Sequence, residues 1–423
     1  MHDLTARRRL LMDLGPLRRH RDFRLLWLGQ SVTYLGSMIT YVAVPYQVFA
    51  LTRSSLMVGL LGLVEFVAIL ATAFVGGALA DAVDRRRMVF LTEAALLVGS
   101  LLLAGNSLLP HPSVAVLFVA VGLVGAFDAL QRPSLDALLP RLVPREELVA
   151  AGALNIFRGT IGMIAGPAVG GLLVATVGLG PTYLVDVASF AISLVLLQQV
   201  KAVPPPPDAA RPSLQGALEG IRYARSRPEL MGTYLVDINA MFFGMPNALF
   251  PALAASLGGA GVLGLLYSAP AVGALVASTT SGWTLRIHRH GLAVLWAAGV
   301  WGLAIVAFGV CEGLPLALLA LAVAGGADMV SGLFRSTIWN TTIPDALRGR
   351  LAGIELLSYS SGPTLGNVEA GAVAALTTPR WSVGFGGVMC VAGTVALAAA
   401  LPAFRRYDDR DVKPGEAEDP PLS

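Results

Sequence analysis

The chain is divided into apolar runs near 23–50, 57–80, 88–109, 113–139, 148–176, 181–200, 231–257, 260–286, 291–310, 314–340, 350–376 and 381–404, most of them joined by fewer than ten residues. A hydrocarbon core about 30 Å thick needs about 20 apolar residues per crossing helix, so each run is long enough to span it. Twelve crossings are therefore expected. The runs at 113–139 and 148–176 leave length over for tilt or for extension into water.

Composition removes the soluble alternative. Charged residues make up 13% of the 423 and hydrophobic ones 55%, against roughly 25% charged in an ordinary soluble domain. The mean hydropathy is +0.69. Cys311 and Cys390 are the only cysteines, one near an expected outer loop and one inside the last run. This excludes a disulfide framework or a thiolate metal site, and no metal or other cofactor is expected. The basic stretch Arg7, Arg8, Arg9, Arg18, Arg19 and Arg21 precedes the first run without a small-residue cleavage site, so that run is expected to stay in the mature protein.

Basic residues set the orientation. Counted from a cytoplasmic N-terminus, the even-numbered turns carry Arg85 to Arg87, Arg141 and Arg145, Lys201 to Arg227, Arg286 and Arg289, then Arg348 and Arg350. The opposite turns carry only Arg53 and Arg380. By the positive-inside rule both ends are cytoplasmic and the number of crossings is even. The net charge of +3 thus concerns topology, and nucleic acid is not an expected partner.

The organisation expected is a cytoplasmic N-terminal segment 1–22, a six-helix bundle 23–200, a cytoplasmic linker 201–230, a second six-helix bundle 231–404 and a cytoplasmic tail 405–423. The linker opens Lys201-Ala-Val-Pro-Pro-Pro-Pro, a stiff extended spacer, and Leu214–Ala224 could lie along the membrane surface. The halves echo one another. Gly125-Ala-Phe-Asp128 before Pro144 answers Gly325-Gly-Ala-Asp328 before Pro344, an offset of 200. Gly152 and Gly353 follow at nearly that offset, and Gly76-Gly-Ala-Leu-Ala-Asp81 answers Ser281-Gly282-Trp-Thr-Leu-Arg286. Parallel six-helix repeats about a midplane site are the plan of major facilitator transporters.

Two motifs carry function. Between the second and third runs lies Gly77-Ala-Leu-Ala-Asp81-Ala-Val-Asp84-Arg85-Arg86-Arg87. Gly77 permits close helix approach, Asp81 can accept from a helix N-terminus, and Arg85 and Arg86 can hold the turn at the inner leaflet. The sequence resembles the inner-loop signature of the major facilitator superfamily, where it gates the conformational change. The plain alternative for Arg85–Arg87 is that they only fix topology. The second copy has Arg286 where the acid would be. In the fifth run, Gly162-Met-Ile-Ala-Gly166-Pro167-Ala-Val-Gly170-Gly171 matches the GxxxGPxxGG element of drug/proton antiporters in that superfamily. Glycines four apart share a helix face and Pro167 removes a backbone bond, although a generic packing face would also carry glycines.

Ionisable residues inside spans default to functional candidates. Asp128 and Arg132 are four apart on one face. Arg158 lies about ten residues into its run, roughly 15 Å deep at 1.5 Å per residue. An Asp128–Arg158 or Asp128–Arg132 pair could titrate or switch partners as cargo passes, or stand as a permanent structural pair. Asp328 is the repeat-related acid. Glu65, Asp186, Asp237, Arg335 and Glu355 are further candidates, while Glu312 and Glu369 are expected near the outer side. Gln30, Tyr34, Tyr41 and Gln47 on the first run, with Asn239, Phe242, Phe243 and Asn247 on the seventh, offer rings and hydrogen-bonding groups for an amphipathic cargo. Of these, Tyr34, Gln30, Asn239 and Phe243 are the expected cavity residues, against the ordinary reading of each as a packing group.

Over nearly its whole length the chain is similar to the enterobactin exporter branch of the major facilitator superfamily. The likeness runs through Phe23-Arg24 to Val42-Ala-Val-Pro45, Pro112-Ser113 to Asp128, Gly152 to Arg158, Gly170-Gly-Leu-Leu-Val-Ala-Thr, Leu265-Leu-Tyr267 to Ser281-Gly282, and the Val203-Pro-Pro-Pro-Pro linker. The resemblance implies an all-α integral membrane fold, twelve transmembrane helices in two pseudo-symmetric bundles, and proton-linked export of a siderophore, drug or secondary metabolite by alternating access. Its partners would be a small-molecule substrate, protons and the lipid bilayer of the bacterial cytoplasmic membrane, and a monomer is expected. A facilitator or importer of the same fold, or a sensor on a transporter scaffold, is the alternative. An enzyme is disfavoured, since His2, His20, His111, His288 and His290 all fall at or beyond helix ends. No Gly-rich nucleotide loop with a following Lys-Ser or Lys-Thr occurs, which disfavours direct ATP coupling.

Overall fold

A computed structural model describes residues 12–82, 84–201 and 222–411, with the side chains of 73–82, 139, 345–350, 352–360 and 411 outside that description. Among the described residues all regular structure is helical. The long helices are α1 (Arg21–Thr52), α2 (Ser55–Ala82), α3 (Arg85–Ser107), α4 (Val114–Leu142), α5 (Leu148–Thr176) and α6 (Leu179–Gln198). They continue with α7a (Pro228–Gly244), α7b (Phe250–Leu257), α8 (Ala260–Thr279), α9 (His290–Val310), α10 (Leu314–Thr342), α11 (Asp345–Leu376) and α12 (Pro379–Ala400). Eleven spans in the described residues are long and apolar enough to cross a membrane, α7a and α7b counting as one. Helix α11, with 32 residues, lies where the eleventh crossing is expected.

Local chemistry sets the ends. Asp84 caps α3 by accepting from the Arg87 N–H at 2.9 Å, and Thr378 caps α12 by accepting from the Trp381 N–H at 3.3 Å. Pro228 and Pro379 stand in the first turns of α7a and α12, where a missing N–H costs nothing. Helix α5 stops at Gly178, whose φ of 82° is open to glycine and whose N–H reaches back to Leu173 O at 3.2 Å.

Two expected spans are shorter or broken. The run 231–257 reads as one helix, yet it breaks after Gly244. Pro246 has no N–H and pushes Met245 out of the helical region, to φ −116° and ψ 82°. The interrupted backbone is re-satisfied by side chains: Asn367 Oδ1 accepts from Ala248 N at 2.9 Å and the Tyr267 hydroxyl donates to Asn247 O at 3.2 Å. The run 260–286 ends as an α-helix at Thr279, and Ser281–Arg286 forms a 3₁₀ segment.

The chain divides into two compact units, Met1–Gln47 with Val64–Pro212 and Val48–Leu63 with Ser213–Ser423. In the first, Leu26, Val89, Leu138 and Leu197 bring α1, α3, α4 and α6 into one core. Phe23, Val143, Ala151 and Leu154 join α1 to the α4–α5 turn and α5. In the second, a Cβ on Gly371 would stand 2.8 Å from Leu56 Cα, so a glycine is needed where α11 meets the start of α2. Apolar side chains also face outward: Ile156, Leu172, Val195 and Leu303 are each more than half exposed, as lipid-facing residues are. Of the expected linker, 202–221 lies outside the described residues, and α7a already begins at Pro228.

Candidate functional site

In the first unit the glycine stripe of α5 sets the geometry. Residues 158, 162, 166 and 170 recur every four positions and so share one face. A Cβ on Gly162 would run into the Tyr34 ring, one on Gly166 into the Met38 side chain, and one on Gly170 would lie 3.0 Å from Ile39 Cα and O. The three glycines therefore seat α1 directly against α5. Pro167, buried in the same helix, leaves a backbone bond unmade, and Gly171 is buried beside it.

Arg158 continues that stripe one turn earlier. Its Nε is buried without a hydrogen-bond partner among the described residues. Tyr34, Arg158, Arg132 and Asp128 lie within electrostatic reach of one another. Asp128 interacts in turn with Arg132, and Glu65 of α2 with Asp128. Gly125 makes room for Glu65, since a Cβ there would be 2.9 Å from Glu65 Cγ. Tyr34, Glu65, Asp128, Arg132 and Arg158 thus form one electrostatic neighbourhood. Neither Asp128–Arg132 nor Asp128–Arg158 closes to ion-pair distance, although the sequence suggested one or other pair.

Gln30 has a different setting from the cavity expected for it. It is buried and its Nε2 donates to Glu93 Oε1 of α3, an acid that the sequence reading passed over. The other carboxylate oxygen, Glu93 Oε2, is buried without a hydrogen-bond partner among the described residues. One level along, Asp186 accepts from the Ser100 hydroxyl at 2.7 Å and from the Thr40 hydroxyl at 2.9 Å. Helices α1, α3 and α6 are therefore joined by two buried carboxylates whose partners are hydroxyls and an amide. The signal for Glu93 in the sequence was an acid eight residues into α3, at a depth where an ionisable group has to be accommodated.

At the end of this unit, Arg86 caps α6 and Arg85 reaches across to the last two turns of α4. Arg85 Nη1 donates to Ala137 O of α4 at 3.2 Å. Arg86 donates to Leu197 O at 3.0 Å and Gln198 O at 2.7 Å, at the end of α6. Terminal carbonyls carry the negative end of the helix dipole, so a guanidinium there is favourable. The side chains of Gly77 and Asp81 lie outside the described residues.

The second unit solves its buried charge differently. Arg335 of α10 contacts Asp237 of α7a through Nη1 and Asp328 of its own helix through Nη2, the latter at 3.5 Å. The Asp237 and Arg335 side chains are 4% and 10% exposed, whereas Asp328 is 43% exposed. Asp237 and Asp328 also line a small cavity with Trp301 and Ser331. Asn239, two residues from Asp237 and so on nearly the opposite face, ties α7a to α12 by donating to Cys390 O at 2.9 Å and Thr394 Oγ1 at 3.3 Å. Phe243, one turn on, has its carbonyl against Gly386 of α12 and its ring edge-on to Phe242 at 4.8 Å. Asn239 and Phe243 therefore serve the α7a–α12 contact, while Asp237 and Asp328 are brought together by Arg335. Among the described residues no cluster of three or more His, Cys, Asp or Glu could hold a metal ion.

Comparison with known proteins agrees with this layout. The model of the transmembrane secretion effector family matches residues 12–422. The chain is 31% identical over 398 residues to the enterobactin exporter EntS of Citrobacter koseri, covering 94% of this chain and 96% of that one. It is 32% identical, with the same coverage, to EntS of Shigella boydii serotype 18. Among solved structures, the nucleoside transporter NupG superposes with a TM-score of 0.73 at 14% identity, over 92% of this chain and all of that one. A bacterial homologue of the iron transporter ferroportin gives 0.69 at 17%, over 91% and 98%. These structural likenesses concern the fold.

Proposed function

The chain belongs to the transmembrane secretion effector family of major facilitator transporters, and from that premise we propose that it exports a small molecule of the siderophore class across the bacterial cytoplasmic membrane by proton antiport with alternating access. The cargo class follows the relatives named as enterobactin exporters, similar over 94% of the chain. Both termini are assigned to the cytoplasm on the distribution of Lys and Arg.

The observation that carries the coupling reading is the state of the two repeat-related acids. Asp128 is accessible and has no ion-pair partner among the described residues, and Asp328 shares a single guanidinium with the better buried Asp237. An acid so placed inside a span can take up a proton and release it as access alternates. Protonation removes a charge that is costly at membrane depth, and so biases one conformation over the other. Glu65 assists Asp128, Arg132 and Arg158 set the field around it, and Tyr34 contacts cargo. The Gly77–Arg86 turn is the gating element, with Arg85 and Arg86 anchoring it to the ends of α4 and α6. The glycine and proline set of α5 keeps α1 close enough for Tyr34 and Arg158 to act together.

The test is transport of iron-free enterobactin into inside-out proteoliposomes with an imposed pH gradient. Acidifying the lumen is expected to accelerate uptake, and Asp128→Asn to abolish that acceleration in a folded protein. Transport that runs only down the cargo gradient whatever the pH would reject antiport in favour of a facilitator. Unchanged proton-driven efflux in Asp128→Asn would remove Asp128 from coupling.

A further inference from the structure

The second unit carries a groove that the transport reading does not use. It has a volume of about 590 Å³, within the roughly 300–1,000 Å³ typical of small-molecule sites. Its floor is made of small residues, Ala277 of α8, Ala293 and Ala297 of α9, and Gly326 and Ala327 of α10. Its walls are large: Trp283, Trp296, Val300 and Phe334. The groove exists because α8 and α10 meet tightly through glycine further along. A Cβ on Gly325 would run into Pro270 O, and one on Gly326 would stand 3.3 Å from Gly273 O.

One end of the groove is polar and basic. Arg289, the residue immediately before α9, lines it together with Thr280. Arg286 lies three residues away in the same turn. Both arginines are exposed, and neither has a carboxylate at ion-pair distance among the described residues. The neighbouring acid, Asp409, is engaged by His288 at 3.0 Å and by His290 at 3.6 Å. Trp296 and Trp283 are 69% and 47% exposed, and tryptophans of that kind mark the membrane–water boundary. The remaining free N–H groups of the first turn of α9 add a positive dipole end at the same mouth.

We propose that this groove is a binding site for an anionic phospholipid, one acyl chain lying between Trp283, Trp296, Val300 and Phe334 and the phosphate headgroup held by Arg289. Two features commit the occupant to a lipid. The apolar shaft is too long and too dry for a free phosphate. A lone amphipathic cargo would leave the shaft for the bilayer, which is equally apolar, unless a headgroup anchored it. Selectivity must therefore come from the headgroup charge, with each basic side chain near the surface contributing roughly a five-fold preference for an anionic over a zwitterionic lipid. This inference is independent of cargo and of proton coupling.

The six tryptophans supply the assay. The full chain is reconstituted in phosphatidylcholine vesicles doped with brominated-tail phosphatidylglycerol, and separately in the converse mixture with brominated phosphatidylcholine. Preferential quenching by the phosphatidylglycerol, by about five-fold in apparent affinity, is expected. That preference should fall to unity in Arg289→Gln and persist in Arg289→Lys, and the quenched component should shrink in Trp296→Phe and further in Trp283→Phe/Trp296→Phe. Excess inorganic phosphate should leave it unchanged. Equal quenching by the two lipids, a preference intact in Arg289→Gln, or displacement by inorganic phosphate would each overturn the proposal. Proton-driven enterobactin transport measured on the same samples keeps the two readings separate.

Discussion

The two units accommodate buried charge in opposite ways. In the first, Glu93 and Asp186 are embedded among hydroxyls and an amide. In the second, Asp237, Arg335 and Asp328 close into a triad around one guanidinium. The difference is notable because the sequences repeat: Asp128 and Asp328 occupy equivalent places, but the first is followed by an arginine after four residues and the second after seven. Both spacings return to the same helix face. Only in the second does a further acid, Asp237 of α7a, complete the set. Matching sequence motifs 200 residues apart thus stand in different charge environments.

The largest effect expected is from Arg335→Gln. It leaves Asp237, 4% exposed, without its counter-charge, and breaking such a buried pair costs about 3–5 kcal/mol. Thermal unfolding in detergent should show a large fall in Tm, largely restored in the Arg335→Gln/Asp237→Asn double variant. A fall of similar size in the double variant would mean that the triad is held by packing, and the contrast between the units would weaken.

Next is the close seam that the first unit has between α1 and α5. Gly170→Val would drive a side chain against Ile39 backbone atoms 3.0 Å from the Cβ position, an overpacking expected to cost about 1–3 kcal/mol. Gly152 and Gly159 sit in the same helix with nothing within 4 Å of their Cβ positions. Their alanine variants should be neutral or gain up to about 1 kcal/mol from helix propensity. Equal losses at all three would show that helix flexibility matters there and close approach does not.

How far the sequence foretold these contrasts depends on the kind of interaction. Apolar periodicity placed the helices to within a few residues, because span length is set by the bilayer; the breaks at Pro246 and after Thr279 came from local backbone chemistry that hydropathy cannot see. The glycine stripe was legible, since residues four apart must share a face, but its partner on α1 was not. Ionisable residues were legible as candidates and illegible as partnerships. Asp128 and Arg132 looked paired and do not reach ion-pair distance, whereas Arg335, one of several further candidates in the sequence, is the centre of the triad. Asn239 and Gln30 were read as cavity groups because they are polar, and each instead ties helices together. Which way a side chain turns depends on tertiary contacts that spacing does not encode.

A smaller effect tests the first unit's side of the contrast. Glu93→Gln and Asp186→Asn should each change stability by no more than about 1 kcal/mol, because their hydroxyl and amide partners can bond an uncharged amide as well and no cation is left stranded. Unfolding midpoints at neutral pH provide the check. Losses approaching that of Arg335→Gln would reveal a balancing positive charge at those acids and make the two units alike.

The smallest effect lies at the surface, where the two units should not differ. Arg19–Glu147 in the first unit, at 2.6 Å, and Arg410–Asp408 in the second, at 2.7 Å, are ordinary exposed pairs. The Arg410 guanidinium and backbone N–H hold the Asp408 carboxyl well below the usual carboxylate range. A depressed acid stabilises the folded state above its unfolded pKa of about 3.9, and that contribution is lost as pH falls towards the folded value. The protection factors of the Phe404 to Arg410 amides, each taken against the intrinsic rate at the same pH, should therefore be higher at pH 7 than below about pH 4, with Arg410→Gln removing the difference and the global Tm barely moving. A marked fall in global Tm in that variant would mean that the C-terminal turn, docked through Asp409 on His288 and His290, is part of the second unit's core, and the distinction between the units would then extend beyond their interiors.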